Sequence, residues 1–185
     1  MINDILNEAD GKMDKSVEAT REEFAAIRAG RAQPSMFNKI TVDYYGSPTP
    51  LQQLASFNVT EARTILVSPF DKSSTAAIEK ALRDSDLGVN PTNDGNVIRI
   101  VLPALTQERR KDFVKLAKSK AEDSRVSIRN VRRRAKEELD RIVKDGEAGE
   151  DEVARAEKEL EALTRKRIDA IDGVLSTKES ELLAV

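Results

Sequence analysis

The feature that most constrains this chain is one long amphipathic stripe. From about Gln107 to Lys144, Phe113, Ala117, Ala121, Ile128, Val131, Ala135, Leu139 and Ile142 recur at helical spacing with charged residues between them. An α-helix rises 1.5 Å per residue, so a continuous helix over this stretch would be roughly 55 to 60 Å long. That exceeds the width of any compact domain a chain of 185 residues can build. The fold must therefore contain a rod, and the rod needs partners along its length. Pro103 and Thr106 mark its beginning, and Asp145-Gly146 its end.

Two further segments supply such partners. Residues 2 to 28 place Ile2, Ile5, Leu6, Ala9, Met13, Val17, Phe24 and Ile27 on one face. This helix is expected to stop at Ala29-Gly30, with the glycine in the left-handed C′ conformation, and Pro34 prevents its resumption. After the loop Gly146-Glu147-Ala148-Gly149, a third helix opens with Glu150, Asp151 and Glu152, whose charges suit the positive end of the helix dipole. It carries Val153, Ala156, Leu160, Leu163, Ile168, Ile171 and Leu175 toward a neighbour. Helices of this kind draw most of their stability from packing. A three-helix bundle of residues 1–30 and 105–185 is the economical solution.

Between Arg31 and Ala104 the pattern changes to short apolar runs at Ile40–Tyr45, Leu54–Val59, Thr64–Val67 and Val97–Val101, which read as strands. One helix interrupts them, from an N-cap at Ser73 or Ser74 through Ala76, Ile78 and Leu82 to about Leu87-Gly88. Asn93-Asp94-Gly95 signals a tight turn before the last strand. The fold class is therefore α+β: an elongated three-helix bundle with a small β/α/β domain, residues 31–104, inserted between its first two helices. Both crossings are short, so hinges are expected near 29–34 and 102–106, with Gly30, Pro34 and Pro103 as the hinge residues.

Composition removes most chemistries. The chain has no cysteine and no histidine, which excludes Ser-His-Asp and Cys-His catalysis, disulfides, and the ligand sets of most zinc and non-haem iron sites. No glycine-rich phosphate loop of Walker or dinucleotide type is present, so neither nucleotide hydrolysis nor a cofactor is expected. The first residues, Met1-Ile2-Asn3-Asp4-Ile5, lack the basic and apolar blocks of a signal peptide. No apolar run approaches the roughly 18 residues of a membrane span. The expectation is a cytoplasmic, monomeric, non-enzymatic protein with no membrane association.

The net charge of −2 conceals a sharp partition. Residues 105–145 hold fourteen basic and eight acidic side chains, whereas 1–30 hold four and seven, and 146–185 hold six and eleven. The whole positive excess belongs to the middle bundle helix. There Arg125, Arg129, Arg132, Arg133 and Lys136 fall in one stripe beside the apolar seam. One reading is a solvated face whose arginines pair with the acidic first and third helices. The other is a phosphate-binding edge, because guanidinium forks match phosphate oxygens. Composition alone leaves both open. Elsewhere, Tyr44-Tyr45 has the look of a base-stacking pair, but alternation along a strand would place one in the core and one at the surface. Glu150-Asp151-Glu152 is explained more simply by the helix dipole than by a bound cation.

The segment Ile27-Arg28-Ala29-Gly30-Arg31-Ala32, followed by Pro34, resembles a signature of the ribosome recycling factor family. Tyr44-Tyr45-Gly46 with Thr49-Pro50-Leu51, Gln53-Leu54-Ala55, Ser85-Asp86-Leu87-Gly88 with Asn90-Pro91, Leu105 to Lys111 and Val126 to Arg133 also resemble family motifs, in order and over essentially the whole chain. The resemblance implies a hinged bundle and β/α/β domain of L-shaped, transfer-RNA-like outline. It implies binding to the post-termination ribosome across the A and P sites, on large-subunit ribosomal RNA, and action with elongation factor G and GTP to separate the subunits and free the messenger. Carried onto matching positions, RNA contact is implied for Arg28, Arg31, Arg110, Arg129, Arg132 and Arg133. Ala29 stands where many members have Thr, and Arg134 extends the run without a role the resemblance assigns. The competing classes are a coiled-coil adaptor, which would leave a heptad stripe exposed, and a histidine-free enzyme, which would need a pocket with a perturbed lysine or carboxylate pair.

Overall fold

The computed structural model describes residues 1–27 and 30–184. Three long helices dominate: α1 (Ile2–Ala25), α3 (Gln107–Lys144) and α4 (Glu150–Leu183). Between the first two lie six strands and the short helix α2 (Thr75–Arg83). The chain divides into two compact units, one of Met1–Arg21 with Lys115–Glu179, the other of Glu22–Val114 with Ser180–Val185. Those limits differ from a division at residues 30 and 104. The adjoining ends of the long helices group with the sheet because their side chains engage it or one another: Lys39 Nζ lies 3.7 Å from Glu23 of α1, and Arg110 of α3 reaches the end of α4.

In the helical unit each rod buries one stripe. Leu6, Ala9, Met13 and Val17 of α1 meet Ala117, Ala121, Ile128, Ala135, Leu139 and Ile142 of α3 and Val153, Ala156, Leu160 and Ile171 of α4 in the buried set. The alanines on these stripes let the axes approach closely, and the larger residues fill the space between. Ser124 Oγ donates to the Ser16 carbonyl at 3.3 Å, a polar stitch between α3 and α1. Thr106 caps α3 by accepting the Arg109 N–H at 3.1 Å. The other end closes in a Schellman motif: Gly146, at φ +72°, donates to the Val143 carbonyl, and Glu147 N–H to that of Ile142, both at 3.0 Å. None of the described helices is long and apolar enough to cross a membrane.

The other unit holds an antiparallel sheet in the order β3 (Ala55–Glu61), β4 (Thr64–Pro69), β6 (Ile98–Val101), β5 (Thr92–Asn93). A separate hairpin pairs β1 (Thr41–Tyr44) with β2 (Ser47–Pro50). Ile65, Val67, Ile98 and Ile100 alternate inward from the sheet to meet Ile78 and Leu82 of α2, with Phe37, Leu51 and Leu102 completing a fully buried core. The Phe37 and Phe57 rings stack at 5.1 Å.

Several local expectations need correction. α1 ends at Ala25 rather than at Ala29-Gly30. Its last turn tightens, Ile27 N–H bonding to the Phe24 carbonyl at 3.1 Å. The expected cap at Ala29-Gly30 involves Ala29, which lies outside the described residues. Ile27 stays buried outside the helix, which is why the periodic pattern seemed to continue. α2 likewise stops at Arg83, because Leu87 packs against the core from a turn. Strands β2 and β5 were not expected. Finally, Tyr44 is half-buried against the core and Tyr45 is exposed, as expected, but a turn and not strand alternation separates them. Tyr45 at φ +51° and Gly46 at φ +79° form a two-residue turn of the hairpin kind. That turn brings the two rings edge to face at 4.6 Å.

Candidate nucleic-acid interface

The cationic stripe of α3 resolves into residues with different partners. Arg125 is an interhelical strap: only 18% exposed, it lies 2.7 Å from Asp172 of α4 and 3.0 Å from Glu122 one turn earlier on α3. Arg129 is half exposed and shares Glu122 at 3.2 Å. Bonds from Arg125 and then Arg129 hold the Glu122 carboxyl below its ordinary pKa. Arg132 reaches across to Glu161 of α4 at 2.5 Å. Its Nε is shut off from solvent with no partner, an idle donor of the kind that costs about 1–3 kcal/mol. Arg133 and Arg134 are exposed, and neither has an ion pair or side-chain hydrogen bond among the described residues. The neighbouring Asp140 carboxyl holds the Glu157 carboxyl of α4 above its ordinary pKa, with the Lys136 charge acting in the opposite sense.

Both readings of the stripe therefore apply, to different residues. Arg125 belongs to the paired, structural face. Arg133 and Arg134 present uncommitted charge, and Arg129 and Arg132 are held only by exposed carboxylates, whose pairing is worth about 0–1 kcal/mol in water. The acidic α1 does not neutralise the stripe. Its Asp10 and Asp14 instead bind Arg167 of α4, each at 2.8 Å.

In the sheet unit, Arg31 is exposed. Arg110 is not a free guanidinium. It donates through Nη1 to the Leu182 carbonyl at 3.3 Å and to that of Ala184, and through Nε to the Leu105 carbonyl at 3.5 Å. It thus ties the start of α3 to the last turn of α4 and lies beside Gly30, where a Cβ would sit 3.8 Å from its Nη2. Arg28 and Ala29 lie outside the described residues. Pro34 opens a short 3₁₀ turn, Pro34–Phe37, where its missing N–H is harmless. Pro103 is exposed directly after the fully buried Leu102. Ala32 N–H bonds to the Ala62 carbonyl and Leu102 N–H to that of Arg63, both at 2.7 Å. Each crossing strand is thereby pinned to the turn between β3 and β4.

Sequence reasoning missed Arg165. It is exposed on α4 and lines an open groove of about 330 Å³ with Arg129, Arg132, Glu161, Thr164 and Ile168. The run Arg165-Lys166-Arg167 was a visible signal, hidden by the acidic balance of its segment. Among the described residues there is no cluster of three or more His, Cys, Asp or Glu side chains placed to hold a metal ion.

Comparison with known proteins accords with this architecture. The family model described as "Ribosome recycling factor" matches residues 20–183. The ribosome-recycling factor of Kineococcus radiotolerans is 70% identical over the full length of both chains, and that of a Nocardioides species 67% identical, also over both full lengths. A solution structure of the ribosome recycling factor aligns with a TM-score of 0.81 at 42% identity, covering 100% of this chain and 98% of the other. A second structure is described as models for the T. thermophilus ribosome recycling factor and the E. coli elongation factor G bound to the E. coli post-termination complex. It aligns with a TM-score of 0.69 at 40% identity, covering 100% of each chain. From the arginine-edged helix to the full-length match, these findings establish that the chain belongs to the ribosome recycling factor family.

Proposed function

We propose that this protein binds the post-termination ribosome through RNA phosphates and, together with elongation factor G, promotes separation of the subunits. The observation that carries the reading is the exposed edge of α3, where Arg133 and Arg134 are uncommitted and the pairs holding Arg129 and Arg132 are exposed enough to exchange for phosphate. Counterion release from RNA then supplies much of the affinity. Arg31 adds a further exposed cation. Arg110 acts as a structural clamp on the end of α4, and its contribution to RNA binding is indirect.

The protein itself performs no bond chemistry. GTP hydrolysis belongs to elongation factor G, and the chain transmits force as a hinged body in the cytoplasm. Ala32 and Leu102 are both fastened to the β3–β4 turn, so a hinge at Gly30 and Pro103 would lie outside these two bonds. A coiled-coil adaptor is less well supported. The large apolar residues exposed on α3, Leu116 and Val126, are ten positions apart and so about 80° apart around the helix, which makes no heptad seam.

Light scattering from post-termination ribosomes tests the reading. The signal should fall to that of free subunits only when the chain, elongation factor G and GTP are all present. Loss of scattering without the chain, or none with all three, would refute it.

A further inference from the structure

We propose that Arg165 of α4 is a further contact for RNA phosphate, completing with Arg129 and Arg132 a three-arginine seat from which Glu161 is displaced on binding. This rests on the ribosome-binding reading and adds to it a residue on a second helix and a means of selectivity.

The groove between α3 and α4 is lined by three guanidinium groups and one carboxylate, and even with Glu122 set against Arg129 one positive charge is left over to attract anions. Each arginine has unused donors. Arg129 commits Nη1 to Glu122 and Arg132 commits Nη1 to Glu161, while Arg165 has no partner among the described residues. The Arg132 Nε is idle where it stands. Swinging the head off Glu161 would present Nε and a terminal nitrogen together, the side-on fork that matches two phosphate oxygens. Thr164 does not compete, because its hydroxyl donates to the Leu160 carbonyl at 2.8 Å.

Glu161 makes the seat selective. Its carboxylate is tethered beside Arg132, so a free anion must displace it unaided. An RNA backbone already held at Arg133 displaces it as an intramolecular step, at high effective concentration. Glu161 therefore weakens binding to unstructured RNA more than to RNA docked in register.

The test measures binding of the full chain to purified large ribosomal subunits and to poly(U) across a KCl series. Arg165→Gln should weaken subunit binding roughly five- to tenfold and flatten the salt slope by about 1. Glu161→Gln should tighten poly(U) binding several-fold. Arg155→Gln removes the same charge from α4 outside the groove and should change either affinity less than twofold. Arg165 and Glu161 are both exposed, so thermal melts confirm that the variants are folded. Equal effects of Arg165→Gln and Arg155→Gln, or unchanged poly(U) binding by Glu161→Gln, would overturn the seat while leaving ribosome binding intact. Failure of the unaltered chain to bind subunits would overturn both.

Discussion

Arg110 offers the sharpest separation between a structural and an RNA-binding arginine. Its head is half-buried and spans three carbonyls, those of Leu105, Leu182 and Ala184. The last carbonyls of a helix have no intrahelical donors, so Arg110 satisfies groups at the end of α4 that would otherwise turn to water. Hydrogen bonds from a charged donor contribute about 1.5–3 kcal/mol each. The bond to Leu105 is long and water can replace part of the rest, so Arg110→Gln should cost about 2 kcal/mol. For a chain of this size that lowers Tm by roughly 4–8 °C. Hydrogen exchange should show the backbone N–H groups of residues 180–184 losing protection first, with the centre of α4 unaffected. Ribosome affinity should fall less than for Arg132→Gln, which removes a cation held only by an exposed carboxylate. A melt shifted by less than a degree, together with an affinity loss as large as that of Arg132→Gln, would refute the clamp and restore Arg110 as a phosphate contact.

Other outcomes follow from the same structure. Ile128→Ala empties a fully buried position on the α3 stripe and should cost about 2–5 kcal/mol, seen as a lower denaturant midpoint with an unchanged Arg133 edge. Glu157→Gln should stabilise the fold slightly at neutral pH, by about 0.5 kcal/mol. The Asp140 bond holds the Glu157 carboxyl above its ordinary value. Its stabilising contribution is therefore complete below the unfolded carboxylate pKa and is lost as pH rises through the raised one. The gain should vanish in acid, and a gain at low pH alone would contradict the assignment. Gly30→Pro fixes φ near about −65° and should slow subunit splitting by elongation factor G more than it weakens ribosome binding, measured side by side by light scattering and cosedimentation.

Much of the fold was legible because helical periodicity and end signals are local. Thr106, Asp145 and Gly146 delimit α3 in the structure as they do in the sequence. Tertiary packing produced the errors. Ile27 and Leu87 extend the apolar pattern past the true helix ends because each packs in a turn rather than on a helix. Strand β2 was hidden by Pro48 and Pro50, which lack ladder donors and are tolerated because β2 pairs only with β1. The site was half legible. Sequence places Arg125, Arg129 and Arg132 on one face, but the carboxylates that meet them, Asp172 and Glu161, come from α4, and no local rule pairs residues so far apart in the chain. For the same reason Arg165 emerged only when α3 and α4 were seen side by side.

The most direct test of the phosphate-binding edge is cosedimentation of the unaltered chain with ribosomes from low to high KCl. Four or more phosphate contacts predict a logarithmic affinity falling with salt at a slope of about −3 or steeper, reduced by about 1 for each of Arg132→Gln and Arg133→Gln. An affinity flat across the series and indifferent to both substitutions would contradict the account.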